Sequence, residues 1–251
     1  MEIIVKDTVD EASAIVAEIL LRQVEEKPDS ALGFPTGATP LGVYARLIED
    51  FRNGRGCYNR AHAFNLDEYL GISGTDTASY AFYMRENLFR HIDFMQRHIH
   101  IPDGSAADAS AEAKRYETQI AARGGIDLMF LGLGRNAHIG FNEPGSPHDT
   151  RTRRVALTAS TMEANARYFE PGARQPTHAI TMGIGTILES RKIVVLATGI
   201  EKASAVAASL AGPITDAVPG SALARHAHTT IVLDRGAAHE LDRILALEID
   251  A

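Results

Sequence analysis

The sequence predicts an α/β fold in one domain, a largely parallel sheet with helices on both of its faces. Three observations carry this. Short apolar runs alternate with stretches of helical periodicity along the chain, the order that parallel βαβ units require. Most runs give way to glycine, proline or small polar residues, as strand ends do in such sheets. At 251 residues with 45% hydrophobic content, the chain can bury one substantial core. No repeat, low-complexity tract or Pro/Ser-rich linker divides it, so residues 1–251 read as a single unit.

The first helix runs from about Thr8 to Glu26, where Ala12, Ile15, Val16, Ile19, Leu20 and Val24 recur on one helical face. "SALGF" then reads as a strand, "PTGATP" as a turn, and "LGVYARLIEDF" as the start of the next helix. "AHAFNL" is a strand ahead of a helix near Ser79 to His91, and a helix near Ala107 to Ala122 precedes the strand "IDLMFLGL". "KIVVLATG" leads into the helix "EKASAVAASLAG", and "TTIVLD" into "AHELDRILAL". The longest irregular stretch runs from Gly140 to Arg154; loops of that length in compact domains are usually lids or binding loops.

Several function classes are disfavoured at once. A net charge of -7, with "RTRR" the only basic cluster, argues against a nucleic-acid or anionic-membrane partner. The lone Cys57 can form neither an internal disulfide nor a cysteine-rich metal site, which fits a reducing compartment. No apolar segment approaches the roughly 20 residues that span a bilayer, and the start lacks a secretory pattern, so a cytoplasmic protein is expected. His98 and His100, and His226 and His228, show H-x-H spacing, but no nearby acid or cysteine completes a ligand set; no metal is assigned. Nothing resembles G-x-S-x-G.

Four stretches could carry chemistry. In "PTGATP" a strand ends and a helix opens, and the free N–H groups and dipole there suit a phosphate, although an ordinary capped turn has the same composition. "ATGIEKAS" places Lys202 in the first turn of a helix, against the dipole preference, which an anion would resolve and which a solvated surface lysine also explains. "FNLDEYLG" puts Asp67 and Glu68 at the carboxyl end of the strand "AHAFNL", where only one of the two can face a substrate as a general base, although a helix cap or loop acid has the same composition. "GLGRNAHIGFNEPG" satisfies G-x-G-x-x-A, but Gly140, Pro144, Gly145 and Pro147 stop any helix, so a dinucleotide fingerprint is rejected. That loop instead brings Asn136, His138 and Glu143 toward one centre, a histidine able to shuttle protons with partners to fix its tautomer.

Taken in this order and spacing, "PTGATP", "FNLDEYLG", "LGLGRNAHIGFNEPG", "ANARYF" and "TGIEKA" resemble the glucosamine-6-phosphate deaminase family of sugar-phosphate isomerases, a match that also runs through "AITMGIGTIL". The resemblance implies a modified Rossmann-like sheet and conversion of glucosamine 6-phosphate and water to fructose 6-phosphate and ammonia, with no metal or redox cofactor. It implies that His138 opens the sugar ring, with Glu143 and Asn136 orienting it, and that Asp67 moves the proton from C2 to C1. The phosphate would rest on Thr36, Gly37, Ala38 and Thr39, with Arg167 and Lys202 supplying charge.

This chain departs from the family pattern in places. Some members carry aspartate where Asn136 stands, so His138 should be less basic here. Ala137 replaces a frequent glycine and is expected to have ordinary backbone angles. Ser146 and Arg153 match part of the set that regulated hexameric members use for an allosteric amino-sugar phosphate, but Val155 and Ala156 cannot make the remaining polar contacts, and the chain stops early after "LALEIDA"; weak or absent allostery is expected. The oligomeric state is left open, a homo-oligomer included. A galactosamine-6-phosphate deaminase is the nearest alternative. A 6-phosphogluconolactonase, which shares the fold, is disfavoured by Tyr69, where those enzymes typically show arginine. A non-catalytic sugar-phosphate sensor is disfavoured because Asp67, His138 and Glu143 are all present.

Overall fold

A computed structural model describes residues 1–166, 169 and 175–241. Seven strands form one sheet: β1 (Glu2–Lys6), β2 (Ala31–Phe34), β3 (His62–Asn65), β5 (Ile99–His100), β6 (Leu128–Gly132), β9 (Lys192–Ala197) and β10 (Thr229–Asp234). Their spatial order is β1-β10-β9-β6-β2-β3-β5, and every neighbouring pair is parallel. All seven carboxyl ends therefore lie on one side. The order reverses between β2 and β6, and a crevice at such a point is where open parallel sheets hold ligands.

Helices cover both faces, as expected. Alternation along β6 sends Leu128 and Phe130 into a cluster with Val16, Leu20, Val43 and Tyr44, from α1 (Val9–Glu26) and α2 (Leu41–Arg52). Met129 and Leu131 go to the opposite cluster with Tyr116 and Ile120 of α4 (Ala109–Ala122), Ile184 and Ile187 of α6 (Ile184–Leu188), and Val206 of α7 (Ala203–Leu210). Helix α1 starts where its spacing predicts, since Thr8 and Glu11 form a reciprocal capping box. The helix near Ser79 is α3 (Tyr80–Met84), continued by a π-turn over Arg85–Phe89. A short α5 (Ala159–Asn165) follows the long loop. Residues 235–241 are helical, and the rest of "AHELDRILAL" lies outside the described residues. No helix of the described residues is long and apolar enough to cross a membrane.

A second sheet goes beyond the sequence reading. Strands β4 (Asp67–Tyr69), β8 (His178–Thr181) and β7 (Arg153–Ala156) pair antiparallel in the order β4-β8-β7. Asp67 and Glu68 are thus not the tail of β3: the chain changes sheet at Leu66, whose N–H still bonds Phe34 of the large sheet and whose carbonyl accepts from Met182. A strand of three residues shows too little alternation to be seen as one.

Two of the H-x-H histidines have a structural use. His62 Nδ1 and His100 Nε2 share a hydrogen bond of 3.0 Å, His62 stacks on His98 at 4.0 Å, and Phe64 stacks on His100 at 4.4 Å. Burial first, then the charges of Arg123 and Arg115 and the neighbouring rings, hold His62 and His100 down at about 4, with Asp29 opposing at His62. An unfolded histidine titrates near about 6.5, so between these values the unfolded chain binds protons that the folded one does not. Stability should fall as pH drops from about 6.5 to about 4, and His62→Asn should flatten that slope; urea midpoints measured across this range check it.

Candidate active site

The carboxyl ends of β9, β6, β2 and β3, four adjacent strands, deliver the chemically distinctive residues. Lys202 follows β9, the "GLGRNAHIG" loop follows β6, "PTGATP" follows β2, and Asp67 stands two residues past β3. Distant segments of the chain become neighbours because the sheet orders them so.

Asp67 is 6% exposed, and among the described residues none donates a hydrogen bond to its carboxylate. Burial, and then the charge of Glu68, raise it to about 8. Its neighbour is treated differently: Glu68 points to the other face and accepts from the N–H groups of Tyr69, Tyr80 and Ala81 at 2.8, 2.9 and 2.9 Å, closing the start of α3. Burial raises Glu68 to about 7 while those three donors pull the other way, so it ionises ahead of Asp67. One acid of the pair therefore caps a helix, and the other remains chemically available.

His138 sits at the end of a relay. Asn136 Nδ2 donates to Glu143 Oε2 at 2.7 Å, and Thr161 Oγ1 donates to Glu143 Oε1 at 2.6 Å. A carboxylate only accepts, so the amide orientation is fixed and Asn136 Oδ1 must face His138 Nδ1, 2.7 Å away. Nδ1 then carries the ring proton, and Nε2 is left with a lone pair. The imidazole is 35% exposed, enough for that nitrogen to meet a ligand. Burial lowers its basicity, Lys202 adds to this and Glu143 opposes it; the amide at position 136 is not the leading cause.

Two backbone positions make the relay possible. A Cβ on Gly134 would stand 2.3 Å from Cε1 and Nδ1 of His138, so the ring packs directly on the Gly134 backbone. Ala137 does not have ordinary angles: its φ is 64°, the only positive value at a non-glycine among the described residues. The tight turn closed by Ala137 N to Gly134 O and by Gly134 N to His138 O imposes the left-handed region, at a cost of about 1–2 kcal/mol for a residue bearing Cβ. Ala137 is also 2% exposed, so its methyl recovers part of that cost in the core.

The same loop reaches Asp67. Gly140, two residues past His138, has φ 56°, and a Cβ there would lie 3.4 Å from Asp67 Oδ2 and 3.0 Å from Thr181 Oγ1. The loop that begins with the imidazole thus ends against the carboxylate.

At the other side, Pro40 starts α2 with no side-chain cap, so the first N–H groups of a 12-residue helix have no side-chain acceptor. Thr36, Gly37 and Thr39 are half-buried and Ala38 is exposed. Tyr83 donates to Gly37 O at 2.5 Å, and Tyr80, hydrogen-bonded to Thr36 and to Tyr69, ties this loop to the Asp67 neighbourhood. Lys202 donates from Nζ to Leu133 O at 2.7 Å; burial and the charge of Arg135 lower its pKa, with Glu201 opposing. Arg167 lies outside the described residues. The sequence reading did not single out Gly134, Thr161 or Tyr80; only the glycine-rich composition of the loop signalled the first. A cleft of about 1440 Å³ between β7 and α4, walled by Lys114, Glu117, Arg151, Arg154 and His178, holds neither Asp67 nor His138; titratable groups, and not volume, mark the site.

Comparison with known proteins gives the family and the fold. Residues 5–232 match the family model described as glucosamine-6-phosphate isomerases/6-phosphogluconolactonase. A glucosamine-6-phosphate deaminase of Cellvibrio japonicus is 46% identical over 244 residues, 97% of this chain and 93% of that protein. One from Rhodopirellula baltica is 47% identical over 234 residues, 93% of each. The solved structure of a monomeric glucosamine-6-phosphate deaminase superposes with a TM-score of 0.92 at 43% identity, covering 96% of this chain and 100% of that one. A 6-phosphogluconolactonase from Trypanosoma brucei, at 23% identity and a TM-score of 0.77 over 96% and 98% of the two chains, shares the fold.

The packing of His138 on Gly134 is testable without reference to any substrate. Gly134→Ala must push the ring away from Asn136, since the added methyl overlaps three ring atoms. The Nδ1–H signal of His138 should exchange faster with solvent in this variant, while the melting temperature falls by only a few degrees for a loss of about 1 kcal/mol. Proton NMR and calorimetry read the two effects separately.

Proposed function

The chain belongs to the glucosamine-6-phosphate isomerase/6-phosphogluconolactonase family, and on that premise we propose that it is a glucosamine-6-phosphate deaminase, converting glucosamine 6-phosphate and water to fructose 6-phosphate and ammonia. The observation that carries the reading is the meeting of a dry carboxylate, Asp67, with the loop of an oriented imidazole, His138. Two proton transfers at different carbons need two separately tuned groups.

The phosphate is held by the free N–H groups at the start of α2, by Thr36, Gly37, Ala38 and Thr39, and by Lys202, with Arg167 as a second cation. His138 Nε2 takes the proton of the anomeric hydroxyl and returns one to the ring oxygen, so the C1–O5 bond breaks and an aldehyde forms at C1. Glu143 and Asn136 keep the ring in the tautomer this needs and favour the transient imidazolium. The aldehyde acidifies the hydrogen on C2. Asp67 removes it while O1 takes a proton from the substrate's ammonium group, giving an enolamine, and then delivers the hydrogen to C1 as the C2–N bond becomes an iminium. Water adds at C2, and collapse of the carbinolamine expels ammonia and leaves the ketone. The steps use only these side chains and water. A phosphorylated substrate fits action in the cytoplasm.

Ammonia release from glucosamine 6-phosphate, measured beside galactosamine 6-phosphate and 6-phosphogluconolactone, tests the reading; acid release from the lactone without ammonia from either sugar would replace it with a lactonase. Asp67→Asn should abolish ammonia release while leaving substrate affinity within about threefold. His138→Gln should slow turnover of cyclic substrate more than that of the open-chain form. The base must be ionised to act, and in the free protein its carboxyl sits at about 8. kcat/KM should therefore decline as pH falls through that value, a limb that pH–rate profiles resolve.

A further inference from the structure

We propose that Arg153 and Asn142 are positioning residues that hold the His138–Glu143 loop at a fixed separation from Asp67; the proposal rests on the reaction assigned above. In the small sheet Asp67 faces Thr181 across β4 and β8, and Thr181 faces Arg153 across β8 and β7. Directly opposed residues share a face, so these three side chains form one row, with adjacent Cβ atoms about 5 Å apart.

The catalytic loop lies along that row and is attached at each member. Over Asp67 it presents Gly140, where the carboxylate would stand 3.4 Å from a Cβ. Over Thr181, Phe141 donates its N–H to Oγ1 at 3.1 Å. At the far end, Arg153 Nη1 donates to Asn142 Oδ1 at 2.8 Å.

Asn142 is 0% exposed, and its Nδ2 donates to Ile139 O and Met182 O, each at 2.8 Å. Those carbonyls belong to the catalytic loop and to the residue just after β8, so the amide ties the loop to the sheet. Arg153 supplies the hydrogen bond to Oδ1. Without it a buried oxygen lacks a partner, and the amide is held through its Nδ2 bonds alone. Among the described residues no carboxylate lies within ion-pair distance of Arg153, and burial lowers its pKa. A half-buried guanidinium without an acid partner is costly, and here its contact is with the loop that holds the relay.

Arg153→Met keeps the length of the side chain and removes the donors. It should lower kcat by about tenfold or more while KM changes by less than about threefold, because both substrate ends still bind but the imidazole and carboxylate are no longer in register. Arg153→Lys can still donate one hydrogen bond and should recover part of kcat. Arg154→Met, an exposed residue on the other face of the same strand, should match the parent protein. Nitrogen NMR of the His138 ring in the substrate-free protein supplies a readout independent of turnover: the Nδ1–H tautomer should lose population in Arg153→Met and not in Arg154→Met. A kcat within about twofold of the parent together with an unchanged His138 signal in Arg153→Met would overturn the proposal, as would an equal loss in Arg154→Met. If the parent protein itself releases no ammonia, the assigned reaction fails, and the tautomer comparison alone decides the positioning role.

Discussion

The site depends on a carboxyl group kept dry. Asp67 has little contact with water and, among the described residues, no hydrogen bond to favour its charge, while the Glu68 carboxylate beside it accepts three N–H bonds at the start of α3. A lone carboxylate in such a place normally takes up a proton. The fold nevertheless fixes it there, with a separate three-stranded sheet whose first strand begins at Asp67 itself. The large parallel sheet brings four loops to one edge, and the small antiparallel sheet sets the depth at which the acid sits among them.

The imidazole is tuned in the opposite sense. Its partner chain of Asn136, Glu143 and Thr161 ends in a carboxylate, yet an amide stands between, so the negative charge is felt at 3.7 Å and not through a direct bond. Burial then outweighs that charge, and the ring stays neutral more readily than a free histidine. Neutrality suits a group that must first accept a proton. The strained turn at Ala137 and the ring packed on Gly134 serve the same end, because each fixes where Nε2 points.

Much of this was legible in the residues. A glycine-rich loop after an apolar run, with Asn136, His138 and Glu143 spaced to meet, has few structural explanations, and the relay forms as that spacing implies. The alternation of apolar runs and helical periods likewise translates directly into strands buried on two faces. What could not be read was whatever depends on long-range pairing. "DEY" and "RRVA" are too short and too charged to announce strands, so the row Asp67, Thr181 and Arg153 exists only through its register. Ala137 misleads for a related reason: closure of the turn, and not the residue's own preference, sets its φ. The roles of Tyr80 and Thr161 come from contacts with segments distant in sequence.

The two tunings have a joint consequence for the proposed chemistry. With Asp67 raised to about 8 and His138 lowered below the ordinary histidine value, the free protein at neutral pH favours a neutral acid and a neutral ring. That state has no charged base to lose energy in a dry crevice. The substrate brings its own correction, since an amino group in its ammonium form next to the carboxyl lowers a carboxylate pKa by about 1–3 units. On the proposed reading Asp67 then ionises only when the carbon it must deprotonate is beside it. A chain of net charge -7 can in this way bind a dianion and generate a base in one crevice, because burial and geometry, and not overall charge, set each group's local state.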